Sequence, residues 1–185
     1  MKTRITSIVC TVVLAASALW AFQDMPKPAG PAKEHAFLKQ FVGEWTSEWE
    51  MMAGPDQPPM KAKGSASGRM IGDFWSVTDV KADWTMGPMS AVLTIGYNPE
   101  KKKYVGTWVD SMMNHMWVYE GEVDAAGKVL ALNADGPDMT NPSKTAKFRD
   151  SFEFKDADNF VLTSEAQDKD GKWMKIGAAK YVRKK

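Results

Sequence analysis

Asp110 and His115 are the residues of this chain best spaced to do chemistry together. If Ser111, Met112, Met113 and Asn114 form a hairpin loop, Asp110 faces His115, Trp108 faces Trp117 and Gly106 faces Tyr119. Directly opposed residues of an antiparallel pair project to one face, so that face carries a carboxylate beside an imidazole above two indoles. A carboxylate neighbour raises an imidazole's pKa and makes it a general base or a polar anchor for a ligand. The simpler alternative is an aromatic cross-strand pair that stabilises the sheet, with an ion pair at its rim. No third catalytic group can be placed beside the two.

Methionine offers a second chemistry. Thioethers bind soft Cu(I), and Met112, Met113, His115 and Met116 lie close together in sequence. Adjacent strand residues point to opposite faces, so only Met113 and His115 converge, and methionine as adaptable apolar filler is the plainer reading. Other chemistries are excluded more firmly. Two histidines and one cysteine, Cys10, leave no structural zinc set. Residues 64–68 imitate a nucleophile elbow, but Ala66 stands where the serine is needed. Asp168-Lys169-Asp170-Gly171 resembles part of a calcium loop and lacks its closing glutamate. There is no glycine loop for a phosphate or dinucleotide, and no cofactor is expected.

The elements that must position these residues follow from period and punctuation. Phe37, Leu38 and Phe41 fall at helical spacing, which predicts a short amphipathic helix over Lys33–Phe41 that ends before Gly43 and covers one end of a sheet. From Glu44 the period becomes two, with Trp45, Ser47, Trp49 and Met51 on one face. Further strands are expected at 60–70, 74–83, 89–97, 103–110, 115–124, 128–134, 145–155, 159–167 and 172–183. Turn signals such as Asn98-Pro99, Gly127, Asn141-Pro142 and Asp170-Gly171 separate them. About ten strands with mostly short connections predict an all-β fold, a single antiparallel up-and-down barrel. Ala62, Gly64, Ala66 and Gly68 put small residues along one strand face. They either leave a cavity that aromatics line or allow a tightly bent strand whose spare room tryptophans fill.

Lys2 and Arg4 precede an apolar run, residues 5–19, that is short for a bilayer span and ends in small residues. This is the pattern of a cleaved export signal over 1–21, cut after Ala18 or Ala21. Proline-rich residues 22–32 form a leader, and 33–185 the one domain. Cleavage removes Cys10 and moves the formal net charge from +1 to −1. The mature chain therefore has no disulfide, no attraction for nucleic acid and no membrane span, and a secreted or periplasmic location is expected.

Phe37-Leu38, Phe41-Val42-Gly43-Glu44-Trp45 and the closing Tyr181-Val182-Arg183 resemble the calycin or lipocalin-like group. That resemblance implies that Arg183 packs on Trp45 and closes the barrel base. With residues 94–98, 104–111 and 119–121 added, the chain resembles a bacterial family of secreted proteins known only as a domain of unknown function. The family supplies a fold and no substrate. Three functions stay open: a barrel that binds a small apolar or amphipathic ligand without catalysis, an envelope interaction module with exposed methionines at 86–89 and 112–116, and an Asp110/His115 hydrolase or isomerase. The candidate ligand-binding interior is Trp45, Trp49, Phe74, Trp108, Asp110, His115, Trp117 and Tyr119.

Overall fold

The computed structural model describes residues 30–185 apart from 53, 55, 56 and 142. The expected export signal, and residues 22–29 of the leader, lie outside the described residues. Among the described residues, ten strands follow one short helix. They are β1 (Gly43–Met51), β2 (Met60–Ile71), β3 (Trp75–Trp84), β4 (Gly87–Asn98) and β5 (Lys103–Asp110), then β6 (Trp117–Val123), β7 (Val129–Pro137), β8 (Thr145–Phe154), β9 (Asn159–Gln167) and β10 (Trp173–Arg183). Each strand pairs antiparallel with its neighbours in sequence, and β10 returns to β1, with Trp45 opposite Arg183 and Met51 opposite Gly177. The chain forms the expected closed up-and-down barrel.

Alternation sets the inward face. In β1, Trp45, Ser47 and Trp49 are buried while Thr46, Glu48 and Glu50 are exposed. A meander of this kind puts all odd-numbered connections (β1–β2, β3–β4 and so on) at one end of the barrel and all even-numbered ones at the other. The helix, Lys33–Phe41, plugs the even end and is wound as a 3-10 helix. Its side chains Leu38 and Phe41 are fully buried, and Phe41 meets Phe152, Phe154 and Phe160 edge-on at 5.0–6.0 Å.

The last carbonyls of a helix have no partner within it, and here the barrel supplies the donors. Trp45 Nε1 donates to the Phe41 carbonyl at 3.1 Å. Arg183 donates from Nη1 to Val42 at 2.5 Å and from Nη2 to Gln40 at 3.4 Å. The same guanidinium lies 4.0 Å from the Trp45 ring centroid and donates from Nε to the Ala157 carbonyl at 2.9 Å. Gly43 explains why glycine precedes this tryptophan by two positions. It sits at φ 123, and a Cβ there would overlap Arg183 Nη1.

The small-residue strand β2 answers the same need for close approach. A Cβ at Gly68 would overlap the Phe41 carbonyl oxygen, and one at Gly64 would overlap the Lys81 carbonyl. Ala66 stands opposite Trp45, and Ala62 opposite Trp49. The room these residues leave is taken by the helix, by the adjacent strand β3 and by the indoles of β1.

One stretch of wall is not zipped. β6 and β7 pair only from Glu120 opposite Asn133 to Val123 opposite Leu130. Beyond that, the Trp117 ring fills the space where Gly136 would carry a Cβ, and it meets Phe148 edge-on at 4.7 Å.

Arg183→Ala should lose about 2–4 kcal/mol in urea unfolding, since it removes a cation–π contact and charge-assisted hydrogen bonds to helix carbonyls together. Asp158→Ala, which removes only the half-exposed ion-pair partner of Arg183 at 3.3 Å, should cost less than about 1 kcal/mol.

Candidate functional site

The odd end of the barrel is hollow. A cavity of about 330 Å³ opens there, lined by Trp49, Trp84, Trp108, Trp117, Phe148 and Phe152 and by methionines in or beside the connections. Met51 ends β1, Met52 follows it and Met60 opens β2; Met86 precedes β4 and Met89 lies near its start; Met112 and Met113 lie in the β5–β6 connection and Met139 in β7–β8. Eight of the chain's 13 methionines thus ring one mouth. Met86 and Met139 are about two-thirds exposed, at 66% and 67%. Unbranched thioethers pack irregular gaps and re-pack at little cost, so the rim is apolar and adaptable.

Below the rim lie the polar groups. Asp150, on β8, points inward in phase with Phe148 and Phe152. It accepts hydrogen bonds from Tyr119 Oη at 2.5 Å and from Ser164 Oγ at 2.6 Å. Burial raises the Asp150 carboxyl above its ordinary pKa, opposed by the hydrogen bonds from Ser164 and Tyr119. Tyr119 is held well above the usual phenol range by burial first, then by the charge and hydrogen bond of Asp150 and the charge of Asp110. Tyr181, deeper in the barrel and stacked on Phe160 at 4.3 Å, is raised by burial and then by Asp150.

The candidate residues separate into two groups. Trp49, Trp108, Asp110, Trp117 and Tyr119 all line the cavity. The other three do not. Trp45 is sealed in the base against Phe160 at 4.9 Å and Arg183. Phe74 is in phase with the inward residues Ser76 and Thr78 but lies past the end of β3, in the turn 72–74. From there it meets His35 of the helix edge-on at 5.4 Å and is 40% exposed. His115 sits in the loop before β6, edge-on to Trp117 at 4.9 Å.

The expected Asp110–His115 pair is not formed. The ladder holds Gly106 opposite Tyr119 and Trp108 opposite Trp117 and then stops. Asp110 turns back instead, accepting from Trp108 Nε1 at 2.8 Å and from the Met112 and Met113 amides at 2.8 and 3.0 Å. A short acidic side chain at a strand end satisfies the loop's own amides before it reaches across. His115 Nε2 is buried with no hydrogen-bond partner. The two indoles are cross-strand neighbours, but Trp117 makes its ring contacts with His115 and Phe148. Among the described residues no three His, Cys, Asp or Glu side chains converge as a metal site.

Asp150 and Ser164 are among the site residues that sequence reasoning missed, as are Trp84, Phe148 and Phe152. The phase of Phe148, Asp150 and Phe152 was a usable signal for the first.

The model of the family described as "Protein of unknown function (DUF1579)" matches residues 30–183. The chain belongs to this family. No curated protein matches it. Among solved structures, this DUF1579 member is similar to Rv2717c from M. tuberculosis, with a TM-score of 0.61 at 13% identity over 84% of this chain and 100% of that one. It is also similar to the S-type phycobiliprotein lyase CPES from Guillardia theta, with a TM-score of 0.57 at 11% identity over 83% and 94% of the two chains. At such identities the likeness is one of fold.

The raised Asp150 pKa makes a signed prediction. The native state holds that proton more tightly than the unfolded chain does. Between the free carboxyl value of about 4 and the native pKa, Asp150's contribution to stability therefore falls as pH rises. Subtracting an Asp150→Asn unfolding profile from the wild-type profile should show wild type losing ground across that window. A flat difference would mean that the Ser164 and Tyr119 hydrogen bonds cancel the burial.

Proposed function

We propose that this DUF1579 protein is an exported barrel that takes a small apolar or amphipathic ligand into its odd end without catalysis. The cavity carries this reading. Its volume falls at the small end of the roughly 300–1,000 Å³ typical of ligand pockets, and its walls are apolar with a few converging polar groups, as such sites are. Among the described residues, the helix and a layer of phenylalanines fill the other end. Asp110 is committed to its own loop, which leaves the hydrolase reading without its base–orienter pair.

Native mass spectrometry of protein purified from its own host should show an adduct that denaturation releases. Leu93→Trp, which adds bulk to the cavity wall, should abolish that adduct while the circular dichroism of the barrel persists. Failure of wild type both to retain a molecule and to take up a neutral apolar dye would sink the proposal. Export rests on residues 1–21, and the N-terminus of protein recovered outside the cytoplasm should begin at Leu19 or Phe22.

A further inference from the structure

The side chains lining the cavity include three acids and no base. Of the acids, Glu165 is neutralised by Arg149 at 2.7 Å. Asp110 and Asp150 are not. Their hydrogen bonds come from an indole, a phenol, a hydroxyl and two backbone amides, all uncharged, and among the described residues neither makes an ion pair. Tyr119, which donates to Asp150, lines the same cavity as both acids. Hydrogen bonding is satisfied here, but charge is not. A carboxylate held in an apolar, poorly screened space without a counter-charge is costly, and a cation placed beside it removes that cost.

The surroundings suit a cation of one kind. Trp108 and Tyr119 donate to the carboxylates, Trp117 lines the cavity with them, and Trp49 and Trp84 line it too, their rings 6.3 Å apart. Aromatic walls with a nearby carboxylate are the established recognition chemistry for alkylammonium groups, whose weakly hydrated charge enters such a site at modest desolvation cost. A metal dication would need oxygen or nitrogen ligands that do not converge here. A carboxylate or phosphate headgroup would meet two negative charges and no donor with charge of its own.

We infer that the ligand is a cationic amphiphile, with its ammonium group beside Asp150 and Asp110 against Trp108, Trp117 and Tyr119 and its apolar body among the methionines of the mouth. This inference rests on the reading of the cavity as a ligand site.

Calorimetric titration of the intact protein with octyltrimethylammonium, octanol and octanoate separates the two. These probes share one tail and differ in charge. The expected order is ammonium tightest, octanol roughly ten-fold weaker and octanoate weakest, as a desolvated cation among aromatics predicts. Asp150→Asn, which keeps an acceptor for Tyr119 or Ser164, should lower ammonium affinity about ten-fold and leave octanol unchanged, since only the charged contact is lost. Asp110→Asn serves as the second variant if the first fails to fold, and the comparison of probes on wild type needs neither. Equal binding of all three probes, or preference for octanoate, would overturn the cationic headgroup and leave the cavity reading standing. Binding of none would overturn both.

Discussion

Ring closure at Arg183 is the constraint on which the rest of the molecule depends. One guanidinium covers the Trp45 indole, caps the carbonyls at the end of the helix and ties the last strand to the first. The helix would otherwise end with unsatisfied carbonyls against an apolar interior, and an unpaired buried carbonyl costs on the order of 1–3 kcal/mol. Gly43 and Gly68 are consequences of this junction. Each is small because a backbone or a cation must pass where a side chain would stand.

With one end sealed, the interior divides into unequal halves. Around the helix, Phe152, Phe154, Phe160 and Tyr181 interlock at edge-to-face and stacked distances. Toward the other end the same alternation continues, but the inward residues become tryptophans anchored by their own hydrogen bonds, such as Trp49 Nε1 donating to Ser47 Oγ at 2.9 Å. Rings held in this way line a space rather than fill it. The methionines around them are long enough to shield the opening and too flexible to close it.

Much of this was legible in the sequence. All ten strands could be read from period two and from turn residues, because a meander has only local connections and each hairpin announces itself. The register of β5 and β6 through Trp108 and Trp117 followed from the loop length alone. What failed was the reading of strand ends. Phe74 has an inward phase, but phase loses its meaning once the chain leaves the ladder, and Gly72 at φ 56 had already turned it. Asp110 failed for the same reason, since a carboxylate at a strand end answers to its own loop. The methionine collar was visible in principle: Met51, Met52, Met60, Met86, Met89, Met112, Met113, Met116 and Met139 all fall in or beside odd-numbered connections, which a meander gathers at one end. That argument needs the strand count to be right throughout, because one missed strand reverses the parity of every later loop.

The pairing of Trp45 with Arg183 also has a kinetic side. Nearly the whole barrel lies between these partners, whereas every other ladder joins neighbours. Hairpins can form as they are made, in microseconds, but the ring gains its final seam only when the terminal strand is present, and contacts between distant residues are the slow ones. Until then the helix lacks the Arg183 part of its cap and the first strand has an open edge. Such a polypeptide remains an open sheet, not a ring, until its last strand is made.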